Sequence, residues 1–326
     1  MSKPKVFITR LIPDAGLDQI REECDADVWE EQMPPEKSVI LEHVASCDGL
    51  LSLLTDEIDA EVMDAAGNNL KVISNYAVGF NNIDVDAATE RGIAVGNTPG
   101  VLTDTTADLG WALLMSIARR IVEADKYVRA KKWKTWEPRL LLGDDVAGAT
   151  LGIIGFGRIG QAMAKRATGF DMKILYYDIY RDEEAEEKYG AEFREMDDVL
   201  KEADFVTLHT VLNDDTYHMI GARELDLIGP NGYLINNSRG GVIDQEALVQ
   251  ALQENRIAGA ALDVTEPEPL PDDSPLHELD NVILAPHIGS ASRQTRNKMA
   301  RMAAANLLAG VKGQELPNCV NPEVLQ

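Results

Sequence analysis

A chain of 326 residues exceeds what one ordinary hydrophobic core organises, so two domains of about 100–200 residues each are expected. Hydrophobic residues make up 45% of it, the balance of a soluble globular protein. A formal net charge of −24 repels nucleic acid and anionic membrane and argues against both as partners, so an anionic substrate would have to be met by particular arginines.

Three scattered cysteines, Cys24, Cys47 and Cys319, form no CxxC or Cys/His cluster, so no metal site and no disulfide framework is expected. The opening "MSKPKVFITRLIPDAG" lacks the apolar run of a signal peptide. The most apolar helix candidate, 107–122, is short for a membrane span and carries Asp108, Arg119 and Arg120. The cytoplasm is the expected compartment.

In chain order, "KVFIT" (5–9) predicts a strand and "PDAGLDQIREE" a helix. "GLLSLL" (49–54) and "LKVISNY" (70–76) predict buried strands, with "DAEVMDAAG" between them a helix ended by Gly67. "IDVDAATERG" predicts a helix and "IAVGN" a strand. Strands alternating with helices argue for a parallel sheet covered on both faces. Pro99 and Gly100 break the pattern, and Thr103 or Asp104 can cap the apolar helix that follows. "KYVRAKKWKTWEPRLLLGDDVAGA" reads as a polar arm or loop, with Trp133 or Trp136 expected to pack either on a partner subunit or on its own domain. A second series of strands, "TLGIIG", "MKILYYD", "DFVTLHT", "GYLINNS", "IAGAALDV" and "NVILAPH", gives a complete second doubly wound domain. The tail, 292–313, is a helix expected to return to the first domain. The fold class is therefore α/β, with two doubly wound parallel-sheet domains: a Rossmann dinucleotide-binding domain and a smaller flavodoxin-like one. The chain is expected to cross between them near Pro99 and Pro286, which divides it into 1–98 plus 287–326 and 99–286.

Gly155, Gly157 and Gly160 form GxGxxG between an apolar strand and a helix. In that setting the first glycine permits a tight turn, the second lets backbone approach a pyrophosphate, and the third lets helix and strand pack closely. The helix N-terminus then offers free N–H groups to the phosphates. Asp178, 18 residues past Gly160, stands where a carboxylate accepts hydrogen bonds from an adenosine ribose. That favours NAD, because a carboxylate repels a 2′-phosphate. Arg181 complicates the reading, since it is able to meet part of a 2′-phosphate and keeps NADP open. A methyltransferase also binds adenosine on such a sheet, but the third glycine and the separate amino-terminal domain count against it.

Ligands of open α/β sheets bind outside the carboxyl ends of the strands. Arg239 follows "GYLINNS", Glu268 follows "AGAALDV", and His287 follows "NVILAP". Each alone has an ordinary reading: a loop arginine, an acid in a Pro-rich turn, a structural histidine. Together, at three strand ends of one sheet, they fit reduction of a 2-keto acid. His287 would protonate the carbonyl oxygen, Glu268 would orient the ring and stabilise its charged form, and Arg239 would grip the carboxylate.

"GIIGFGRIGQAMAKRA", "NNSRGGVIDQEALVQAL", "AALDVTEPEP" and "ILAPHIGSA" resemble the D-isomer specific 2-hydroxyacid dehydrogenase family over nearly the whole chain. "NYAVGFNNIDV" and "NTPGVLTDTTADLGWALLM" are most similar to its glyoxylate/hydroxypyruvate reductase branch. The resemblance implies Arg239 as carboxylate binder, Glu268 as partner of the acid/base and His287 as that acid/base. It implies backbone N–H groups of Val78 and Gly79 on the substrate carboxylate. It places Thr106, Arg158, Ile159, Asp178, His209, Ser238, Asp263 and Gly289 around the cofactor, with Gly155, Gly157 and Gly160. It also implies a homodimer built through the cofactor domain, and a substrate lid formed by residues 1–98 and the tail. NADP-preferring members of the branch tend to carry a small polar and then a basic residue after "YY". Asp178 and Ile179 stand there in this chain, which again favours NAD. Transcriptional corepressors that resemble these dehydrogenases keep the same fold, so a dinucleotide-sensing interaction protein is the alternative function.

Overall fold

The computed structural model describes residues 2–325. It separates into two compact units, Met1–Leu102 with Ser290–Gln326, and Thr103–Gly289.

The first unit begins with β1 (Lys5–Ile8), α1 (Asp14–Glu23), β2 (Asp25–Val28), α2 (Lys37–Val44) and β3 (Gly49–Ser52). It continues through α3 (Ala60–Ala66), β4 (Val72–Asn75), α4 (Val85–Glu90) and β5 (Ala94–Gly96). All pairings are parallel, in the order β2-β1-β3-β4-β5, the flavodoxin-like arrangement. β3 and β4 are buried throughout, as expected of strands covered on both faces. Asp59 and Asp84 cap α3 and α4 by accepting from Val62 N and Ala87 N. Gly67 ends α3 at a φ of 70°, a conformation that disfavours side chains.

The second unit runs through α5 (Thr103–Ala118), α6 (Ile121–Arg129), β6 (Thr150–Ile154), α7 (Arg158–Ala167) and β7 (Lys173–Tyr177). α8 (Glu183–Tyr189), β8 (Ala191–Phe193), α9 (Met196–Glu202), β9 (Phe205–Leu208) and α10 (Ala222–Ile228) follow. β10 (Tyr233–Asn236), α11 (Gln245–Gln253), β11 (Gly259–Leu262) and β12 (Val282–Leu284) complete it. Its sheet is parallel, ordered β12-β11-β10-β9-β6-β7-β8, the dinucleotide-binding order lengthened by one strand. The order reverses between β6 and β9, and that is where such sheets open a crevice.

The last helix, α12 (Arg293–Val311), belongs to the first unit. Ser292 caps it by accepting from Thr295 N. α12 lies close on β4. Ser74 Oγ donates to Ala303 O at 2.9 Å, and a Cβ on Gly310 would fall 2.3 Å from Val72 Cβ. Leu17 and Ile20 of α1 share a core with Met299, Ala303 and Leu307.

Besides β2, α2 and β8, which the sequence pattern does not announce, three details differ from the sequence reading. The apolar helix expected to reach residue 122 stops at Ala118, and Arg120 turns left-handed at φ 50° before α6. The stop has a local cause. Asp144 N takes the Ala118 carbonyl at 2.9 Å, and a Cβ on Gly143 would fall 2.2 Å from that oxygen. The first residues of the polar arm are the last turn of α6. The units divide a few residues later than 98/99 and 286/287, because His287, Ile288 and Gly289 are tied to Asp263. Among the described residues no helix is long and apolar enough to cross a membrane, and no cluster of ligands could hold a metal ion.

Candidate active site

The glycine loop after β6 shows why each glycine is needed. Gly155 has a φ of 91°, and a Cβ there would lie 2.7 Å from the His209 carbonyl carbon. Gly160 brings α7 onto the loop so closely that its Cβ would lie 2.2 Å from Gly155 O. Gly157 differs, since a Cβ there would meet nothing within 4 Å. Its open face lies at the N-terminus of α7, where Arg158 and Ile159 supply the first helical N–H groups. A dinucleotide's pyrophosphate fits this cradle. His209 follows β9 at the same crevice. Its Nε2 is 2.9 Å from Thr207 Oγ1, and its buried Nδ1 has no partner among the described residues. Burial pushes the His209 imidazole down to about 3, so it is neutral at working pH.

Asp178, just past β7, is turned back to the loop. Its Oδ2 accepts from Phe156 N at 2.6 Å and its Oδ1 from Tyr180 N at 3.3 Å. Arg181 does not stand free for a phosphate. Its guanidinium makes two 2.8 Å bonds to Glu186, whose carboxylate also accepts from Tyr176 OH at 2.7 Å.

Arg239, Glu268 and His287 lie just past the carboxyl ends of β10, β11 and β12, three adjacent strands. The geometry unites the last two directly: His287 Nδ1 is 2.6 Å from Glu268 Oε1. Nε2 is then the ring atom left for a substrate. Arg239 is largely enclosed. Burial pushes its guanidinium down from the ordinary value, and the nearby Glu268 charge opposes that. A cleft of about 370 Å³ is lined by Glu268, His287, Leu270 and Leu284, so the pair borders space open to a ligand.

Neighbouring groups hold these side chains in place. His287 adopts a φ of 53°, which few non-glycine residues do. Asp263 fixes that turn. Its carbonyl accepts from His287 N at 2.8 Å, and its carboxylate accepts from Ile288 N at 2.7 Å and Gly289 N at 2.8 Å. Burial pushes the Asp263 carboxyl up, and the two N–H groups pull it down. Thr106 packs beside Gly289, and its carbonyl accepts from Asn237 Nδ2 at 2.8 Å. Asn236 is the post of the arginine turn: its Nδ2 donates to Arg239 O at 2.9 Å, and its Oδ1 accepts from Ser238 N and Oγ. Gly240 packs this turn on the loop of Glu268, where a Cβ would lie 1.9 Å from Thr265 O.

The sequence reading passes over Asn236 and over a second histidine–carboxylate pair. His218 Nε2 lies 2.6 Å from Glu266 Oε2, and Glu266 N donates to Gln245 Oε1 at 2.9 Å. Acidic spacing in "TEPEP" offers no way to tell Glu266 from Glu268. Val78 and Gly79 belong to the first unit, on the loop after β4.

Comparison with known proteins agrees with the two-domain fold. The profile of the D-isomer specific 2-hydroxyacid dehydrogenase NAD binding domain matches residues 111–289. A glyoxylate reductase of Korarchaeum cryptofilum is 55% identical over 325 residues, 99% of this chain and 98% of that protein. The crystal structure of the TT0316 protein from Thermus thermophilus matches with a TM-score of 0.92 at 46% identity, covering 97% of this chain and 99% of that one. An NADPH-dependent glyoxylate/hydroxypyruvate reductase from Sinorhizobium meliloti, solved with NADP and malonate, matches with a TM-score of 0.85 at 31% identity, covering 98% of this chain and 97% of that one.

Proposed function

The chain belongs to the D-isomer specific 2-hydroxyacid dehydrogenase family, and from that premise we propose that it reduces glyoxylate, and by the same chemistry hydroxypyruvate, through Arg239, Glu268 and His287. It is an NAD(P)-dependent dehydrogenase. The observation that carries the residue assignment is the 2.6 Å bond from His287 Nδ1 to Glu268 beside an enclosed arginine.

When bound, the nicotinamide cofactor supplies a hydride to the carbonyl carbon. Gly155, Gly157, Arg158, Ile159 and Gly160 would hold its pyrophosphate, and Asp178 its adenosine ribose. Thr106, His209, Ser238, Asp263 and Gly289 would line the rest of the site. We assign NAD as the preferred partner, because Asp178 repels a 2′-phosphate and Glu186 occupies Arg181. Arg239 grips the substrate carboxylate with its planar fork, and the Val78 and Gly79 N–H groups donate to the same carboxylate. His287 gives its Nε2 proton to the carbonyl oxygen. Glu268, bonded to Nδ1, fixes the ring and balances the positive charge that leaves with that proton. The first unit, 1–102 with 290–326, would be the substrate-binding domain, and the second, 103–289, the NAD-binding domain. The active form is a homodimer.

Loss of reduced-nicotinamide absorbance with glyoxylate tests the reading. Arg239→Lys keeps the charge but loses the fork. It should lower kcat/KM for glyoxylate about 10- to 100-fold, the worth of one charge-assisted hydrogen bond. Glycolaldehyde, an aldehyde without a carboxylate, should lose far less. Equal losses on both substrates would refute the role of Arg239. A protein that binds cofactor but turns over no keto acid would be a sensor instead.

A further inference from the structure

The segment after β4 runs Tyr76-Ala77-Val78-Gly79-Phe80, and three of its consecutive carbonyls are held from within the first unit. Thr98 N donates to Ala77 O at 2.8 Å, Asn97 Nδ2 to Val78 O at 2.8 Å, and Asn75 Nδ2 to Gly79 O at 2.9 Å. These peptides are trans, and a trans peptide sets its N–H opposite its carbonyl. Fixing the three oxygens therefore fixes where the N–H groups of Val78, Gly79 and Phe80 point. Among the described residues, none of those three N–H groups donates to a protein acceptor. Successive N–H groups without protein acceptors are donors that an anion is able to take up.

The two asparagines are themselves held. Asn75 is fully buried. Its Oδ1 accepts from Ser52 Oγ at 3.2 Å, and its Nδ2 also reaches Asn82 Oδ1 at 3.0 Å. Asn82 in turn donates to Leu53 O and Asp56 O. Asn97 is anchored from α12, since its carbonyl accepts from Asn306 Nδ2 at 2.9 Å. A loop carbonyl left loose could swing toward a bound carboxylate and repel it. A carbonyl that accepts a hydrogen bond stays turned away, and the bond polarises the N–H of the same peptide.

We propose that Asn75 and Asn97 are positioning residues for the substrate carboxylate, acting through the Val78–Gly79 backbone by holding its carbonyls away. The proposal rests on the reading that those N–H groups receive the carboxylate.

The test uses Asn75→Ser and Asn97→Ser, whose hydroxyls are too short to reach the carbonyls. KM for glyoxylate should rise about 10-fold, the worth of a hydrogen bond to a charged group, with kcat falling much less. The Kd of oxamate for the enzyme–NADH complex should rise by a similar factor. NADH affinity and kcat/KM for glycolaldehyde should change little. A purely structural role predicts losses on both aldehydes together with a lower Tm, and that result would overturn the proposal. So would an unchanged KM and oxamate Kd in Asn97→Ser, which is only half-buried and carries the test if Asn75→Ser fails to fold. A wild-type enzyme that does not favour glyoxylate over glycolaldehyde would instead remove the underlying reading. A wild type that does, with both variants unchanged, would remove only the positioning role.

Discussion

Asp178 and Arg181 stand three residues apart and point to opposite cofactors. Their partners in the structure bear on that conflict. Asp178 is fixed by Phe156 N, with its charge at the end of β7. Arg181 is claimed by Glu186, whose carboxyl is held down to about 2, chiefly by its bonds to Arg181. Both partners are therefore charged at neutral pH. Asp178→Ser should narrow the preference for NADH over NADPH, but only in part, since Arg181 stays engaged. Adding Glu186→Gln should release the guanidinium and narrow it further. The ratio of kcat/KM for the two cofactors reads both steps. A wild type that already prefers NADPH would refute the ribose assignment, and a double variant no different from Asp178→Ser would refute the withholding. The positions of Arg239 and His287 are legible because charge at a strand end is a sequence position, whereas Glu268 is told from Glu266 only by the family resemblance and by its 2.6 Å contact with His287. Asn75, Asn97 and Asn236 are not legible, because an amide's role depends on which carbonyls the fold brings within reach.

At the scale of elements, the glycine loop separates folding from binding. A methyl on Gly160 would press on the Gly155 carbonyl, which is backbone and cannot step aside. Gly160→Ala should lower Tm and weaken cofactor binding together. A methyl on Gly157 meets only open space. Gly157→Ala should keep the wild-type Tm yet weaken NADH, because the methyl occupies the face that backbone must offer to the pyrophosphate. Fluorescence titration of NADH beside a melting curve distinguishes them, and a Gly157→Ala enzyme with wild-type affinity would put the pyrophosphate elsewhere. The same scale shows what pattern reading can recover. Strands such as "VFI" and "GLLS" announce themselves as apolar runs, since both faces are covered. β2, "DADV", alternates between exposed and half-exposed, and β8, "AEF", is three residues at an edge, so neither carries that signal. The break between α5 and α6 has no proline or glycine to mark it. It is imposed by the chain at 142–144 arriving on the helix end.

For the whole molecule, two features of the chain would act against each other in the proposed homodimer. The segment from α6 through the arm exposes Ile121, Val128, Trp133, Trp136 and Leu142, with Trp136 77% exposed. Clustered exposed apolar side chains mark an association surface. Burying Trp136 would contribute roughly 3 kcal/mol at each copy, and a two-fold dimer counts it twice. Against this, each copy brings a net charge of −24. Like charge of that size repels across the Debye length, about 30 Å at 0.01 M salt and about 8 Å at 0.15 M. Because apolar burial is short-ranged and the repulsion is screened, the dimer should tighten as salt is added over that range. Trp136→Ala should loosen it at every salt concentration, and Trp133→Ala should do so if its ring shares the interface. Sedimentation at low protein concentration in both salts measures these effects. Profiles for both alanine variants that overlay the wild type would show that the arm does not hold the subunits together.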